Sequence, residues 1–255
     1  MPSLTVSFLL AIVPVLAAFG LRSVVIRHAS GLGRTEQTIA SSKGGMFGAS
    51  LVLGGIGGVV LAVALQLPLP STLTGNPWAQ VYWDFVVAGP ALEELGKGLV
   101  LMFLFGAGRV FSRADGLVLG IGAGVGFAAL ETMTAFIISE NAGDAEGWWT
   151  AAVIRVFFGA TVHAGATGAM GMVLGHLQGW RTPTRGLLTL TGAYAVGWLV
   201  HASWNSLMLL GGLTGSVAPR VVALLIPAGI LVVVMRSLHH DLERRPPASD
   251  ANQVT

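Results

Sequence analysis

Val86–Met102, VVAGPALEELGKGLVLM, is an apolar run carrying Glu93, Glu94 and Lys97 near its middle. With its flanks, about Val81 to Phe105, it is long enough to enter a bilayer as a helix, which takes about 20 mostly apolar residues. A charge at mid-membrane costs roughly 3 kcal/mol or more. Two adjacent carboxylates there require a cation, water or a metal. Lys97 alone would leave one of them without a counter-charge. Three other apolar segments each carry polar groups at similar depth, namely Glu131, His163, and His201 with Asn205.

Composition says the same of the whole chain. Of 255 residues, 53% are hydrophobic and only 10% charged, against about 25% charged in a soluble domain. A chain this apolar cannot hide its surface in a water-soluble core. The 36 glycines point to closely packed membrane helices, since small residues let backbones approach. With no cysteine there is no disulfide, thiolate metal site or cysteine nucleophile. A net charge of +2 is too small and too scattered to suggest a nucleic-acid partner.

Hydropathy predicts an all-α, polytopic bundle of about seven transmembrane helices: Leu4 to Leu21, Gly45 to Leu67, Val81 to Phe105, Gly116 to Ser139, Trp149 to Leu177, Leu187 to Leu210 and Val217 to Met235. The first lacks the basic leader of a cleaved signal peptide. An N-terminus outside puts the first, third and fifth loops and the tail in the cytoplasm, where they hold four, two, two and three Lys or Arg. The outer loops hold none, none and one (Arg220), as the positive-inside rule requires. Trp148 and Trp149 read as interface anchors and Asp84 as interfacial. Pro90 is expected to kink the third helix just before the glutamates, freeing backbone carbonyls. Gly116, Gly120 and Gly124 stand on a four-residue period suited to packing.

At about 1.5 Å of rise per residue, Glu93 and His163 lie roughly 17 to 21 Å from the outer ends of their helices, and Glu131 and His201 roughly 12 to 13 Å. Four helices therefore bring carboxylate or imidazole to one layer. His201 and Asn205, four apart, share a helix face, as do Glu93 and Lys97. Hydrolysing a peptide inside lipid needs an activated water, a general acid for the leaving amine and a donor for the oxyanion. A glutamate here can serve as base, a histidine can share the proton or bind a metal, and an asparagine amide can donate to an oxyanion. Glu131, His163 and His201 also form a Zn²⁺ ligand set with an open position for water. Glutamate-only and zinc-assisted hydrolysis use nearly the same residues, and both stay open.

Four segments carry a family resemblance: ALEELGKG (Ala91 to Gly98), GFAALE (Gly126 to Glu131), RVFFGATVHAGATGAMG (Arg155 to Gly171) and HASWNS (His201 to Ser206). Together they resemble the motifs of PrsW-type intramembrane proteases, relatives of the CAAX prenyl endopeptidases and Abi proteins in the CPBP superfamily. Thr132 stands where that pattern usually has asparagine. The resemblance implies Glu93 as the water-activating residue with Glu94 its neighbour. It implies His163 and His201 as catalytic or metal-binding, and Asn205 as the oxyanion donor. It also implies a membrane-anchored protein substrate, such as an anti-sigma factor cut on its outer side, and a bacterial plasma membrane. The organisation expected is one helical domain, 1–238, with a catalytic core over about 81–210 and a polar tail, 239–255.

The rival reading is a proton-coupled transporter or channel using the Glu/His cluster as a relay. It predicts polar groups across the full thickness, or an inverted repeat. The inner halves of the fourth and sixth segments are apolar, and no repeat is evident.

Overall fold

The computed structural model describes residues 3–31, 44–67, 76–106, 112–175 and 183–243. Much of the first basic loop, residues 68–75, Arg109, Arg181 and the tail beyond 243 lie outside the described residues. Seven long helical rods make up the described chain: α1 (Leu4–Gly31), α2 (44–66), α3 (77–106), α4 (Arg113–Ala142), α5 (Ala145–Leu174), α6 (Pro183–Thr214) and α7 (Val217–Glu243). There is no strand among the described residues. Four stretches, Leu4–Arg27, Gly45–Gln66, Arg113–Ala142 and Ala145–Leu174, are long and apolar enough to cross a membrane by length and composition. The last helix runs past Met235, where the sequence reading ends it, to Glu243. Large apolar side chains such as Leu9, Leu16, Phe103, Ile138 and Val233 stand exposed on the outside of the bundle. That arrangement suits contact with lipid.

The rod ends have local causes. Asn76 accepts from the amides of Trp78 and Ala79, with Pro77 in the first turn of α3, a preorganised helix start. Ser112 accepts from the Asp115 amide and donates to its carboxylate, so each residue of the cap satisfies the other. Gly143, at φ 69°, ends α4 in the left-handed region that glycine enters freely. Asp144 then caps α5 by accepting from Gly147. So short a turn folds α5 back beside α4.

Glycine sets how close those two rods come. A Cβ at Gly116 would run into the Gly171 carbonyl, one at Gly120 into Thr167, and one at Gly124 into the His163 carbonyl. The period legible in the sequence is thus a line of backbone contact whose third member fixes the chain at His163. Gly120→Ala is expected to lower stability by about 1–3 kcal/mol through overpacking. Gly192→Ala, which meets open space, should be neutral or slightly stabilising, because alanine is the better helix former. Melting curves in detergent check both, and equal shifts would rule out the contact.

Ser7, at the start of α1, donates to Glu140 near the end of α4. Arg113, at the start of α4, donates to Ser237 near the end of α7. The chain therefore starts its first rod and finishes its last at opposite ends of the bundle. Toward the α7 end, Val100, Leu101, Leu104, Leu119, Met170 and Leu174 form an apolar plug.

Candidate active site

The site is built on an interruption in α3. Trp83–Ala88 forms a π-helical stretch in which the Gly89 amide bonds the carbonyl of Asp84, five residues back. In that register the next carbonyl, Phe85, would take its bond from residue 90, but proline has no N–H. Asn205 supplies the missing donor, its Nδ2 lying 2.7 Å from Phe85 O. The carbonyl freed ahead of Pro90 is thus satisfied from α6.

One turn later the two glutamates part. Glu94 is fully buried and accepts from Lys97 Nζ at 2.5 Å, from His201 Nδ1 at 3.0 Å and from Thr167 Oγ1 at 3.3 Å. Glu93 turns toward open space, with its Oε2 3.8 Å from His201 Nδ1. That oxygen is buried and has no hydrogen-bond partner. Lys97 pairs with Glu94, three residues back, and not with Glu93 on the four-residue face that the sequence suggests.

The histidines face each other edge to face, with ring centroids 4.6 Å apart. His163 Nδ1 lies 2.8 Å from Lys97 Nζ and its Nε2 3.0 Å from Glu131 Oε2. An ammonium can only donate, so His163 Nδ1 accepts and the ring proton sits on Nε2, directed at Glu131. His201 donates from Nδ1 to Glu94, which leaves Nε2 with its lone pair. Lys97 also sits over the Phe127 ring, 4.3 Å from its centroid. Glu131 completes the set by accepting from Arg155 at 2.5 Å.

A cavity of about 740 Å³ joins these groups. Glu93, Glu131, His163, His201 and Asn205 line it, and it extends to Asp144 and Glu146 at the α4–α5 turn. Five of the seven polar residues singled out in the sequence thus share one chamber that reaches the α4–α5 turn. Glu94 stands behind it, holding His201. Asp84, read as merely interfacial, also lines the chamber.

Glu93, His163 and His201 offer ligand atoms that all lie within 4.8 Å of one another. The orphaned Glu93 oxygen and the free His201 Nε2 fit a divalent cation. His163 would give up its Lys97 or Glu131 bond to join them. Glu131, expected as a ligand on sequence grounds, is engaged with Arg155 and His163 instead. Both histidines are already bonded to a carboxylate, the usual support for a metal-binding imidazole.

Thr167, Tyr194 and Trp198 escaped the sequence reading. Thr167 has no signal beyond lying four residues after His163. Tyr194 and Trp198 precede His201 on a helical spacing that could have marked them.

The model of a family described as PrsW family intramembrane metalloprotease matches residues 44–235, which takes in every residue of the chamber and leaves α1 outside. No curated protein and no solved structure gives a significant match.

Proposed function

This chain belongs to the PrsW family of intramembrane metalloproteases, and on that premise we propose that it hydrolyses a peptide bond of a membrane-anchored protein within the bilayer. The observation that carries this reading is the chamber that joins Glu93, His163 and His201 inside a bundle of apolar rods. In the proposed topology all seven rods span the membrane of a bacterial cell, with the N-terminus and the chamber mouth outside. A substrate such as an anti-sigma factor would then be cut toward its outer side.

Glu93 takes the proton from the attacking water and returns it to the leaving amine, one carboxylate oxygen acting as base and the unpartnered one being left for a metal. Glu94 fixes the His201 ring through Nδ1, keeping the Nε2 lone pair available. Glu131 fixes the His163 ring through Nε2 while Lys97 occupies its Nδ1, and Arg155 holds Glu131 in place. Asn205 has a second amide N–H beyond the one given to Phe85, and offers it to the developing oxyanion. The residues that would hold a zinc ion are Glu93, His163 and His201, and zinc there would supply Lewis acidity at the scissile carbonyl. A proton relay is the weaker reading, because the apolar plug around Leu101 and Leu119 makes the chamber a blind pocket.

The test is reconstitution in lipid vesicles with single-span membrane proteins of the same cell, with fragments identified by mass spectrometry. Expected is a new chain end near the outer membrane boundary. Activity should disappear with a zinc chelator and return with added Zn²⁺, at a stoichiometry of about one ion per chain. Full cleavage by metal-free protein would leave hydrolysis standing and remove the metal. Intact substrates throughout would sink the peptidase.

A further inference from the structure

Three side chains of α6 donate to backbone carbonyls of α3. Tyr194 Oη bonds Ala91 O at 3.1 Å, Trp198 Nε1 bonds Val87 O at 3.2 Å and Asn205 Nδ2 bonds Phe85 O at 2.7 Å. With His201 they stand four, three and four residues apart, which is one stripe along a helix. The carbonyls they reach span the part of α3 least able to hold its own shape. That part contains the π-helical stretch Trp83–Ala88 and Pro90, two recognised causes of helix bending. Glu93 and Glu94 follow directly, so a pivot between 85 and 91 would swing both carboxylates relative to His201. The stripe carries His201 and the three donors on one rod. It therefore references the α3 carboxylates to the same helix that bears the imidazole.

We propose that Tyr194 and Trp198 are positioning residues, gripping the interrupted backbone of α3 so that Glu93 keeps its register with His201. Neither lines the chamber, so neither touches substrate. Both are only half-buried, and packing alone would be served by phenylalanine. The hydroxyl and indole N–H earn their place through the bonds they make, since polar groups in lipid need partners. The inference rests on the reading of Glu93 and His201 as the reacting centre.

The variants are Tyr194→Phe, Trp198→Phe and the two combined, in the full chain in lipid vesicles. Each removes a donor and keeps the ring. In the double variant kcat should fall about tenfold or more, since a misplacement of about 1 Å can cost about 10²-fold, with KM unchanged within about twofold. The affinity of the metal-free protein for Zn²⁺ should weaken in parallel, a readout independent of turnover. Trp149→Phe, at an exposed tryptophan that does not line the chamber, sets the background and should match wild type. Wild-type kcat and Zn²⁺ affinity in the double variant would overturn the grip, as would a loss confined to KM. Failure of both single variants to accumulate would also overturn it, marking the bonds as purely structural. A wild-type protein that neither cleaves nor binds Zn²⁺ would defeat the functional reading itself, and the grip with it.

Discussion

Glu93→Gln is expected to stop cleavage while the protein accumulates at the wild-type level. The loss in kcat should be about 10²- to 10⁴-fold, the range for removal of a general base, and larger if the same carboxylate also holds the metal. The structure separates this effect from unfolding. Glu93 makes no ion pair with Lys97, its Oε2 has no hydrogen-bond partner, and His201 is 3.8 Å away. Glutamine keeps the shape and removes a negative charge that stands beside Glu94. Stability should therefore be unchanged or slightly higher, which a melting curve in detergent will show. Cleavage at the wild-type rate would remove Glu93 from the mechanism and the reacting centre with it.

Lys97→Met should have the largest effect on folding. Lys97 and Glu94 are both fully buried and 2.5 Å apart, and Lys97 also meets His163 Nδ1 at 2.8 Å and the Phe127 ring. Removing the cation strands a buried carboxylate, at a cost of about 3–5 kcal/mol. The variant should accumulate poorly and melt early. The double variant Lys97→Met with Glu94→Gln removes the stranded charge and should recover much of that stability, because exchanging a buried pair for neutral groups is often close to neutral. It should stay a poor enzyme, since His201 then loses the carboxylate that orients it. A Lys97→Met protein as stable as wild type would show that Glu94 is held by something other than this ion pair.

Much of this was legible in the sequence. Glu93, Glu131, His163, His201 and Asn205 were placed in one layer by counting along four apolar segments, and all five line one chamber. Counting works because a helix in lipid must satisfy its backbone within itself, so residue number translates into depth. The glycine period at 116, 120 and 124 likewise became a contact line against α5.

Counting could not say which way each side chain turns. Adjacent glutamates project about 100° apart on a helix, so one faces the chamber and the other the packed interior. The π-helical stretch before them shifts that phase by an amount no hydropathy pattern records. The assignment of Lys97 to Glu94, and of Glu131 to Arg155 and His163, depends on which rods lie side by side. So does the replacement of Glu131 by Glu93 in the candidate metal group. By itself the sequence determined that this is an all-helical bundle with a polar layer inside apolar rods, because the cost of burying charge in lipid acts on each segment separately. The tertiary structure alone decided which carboxylate is free to react, because that depends on helix phase and on neighbours contributed by distant parts of the chain.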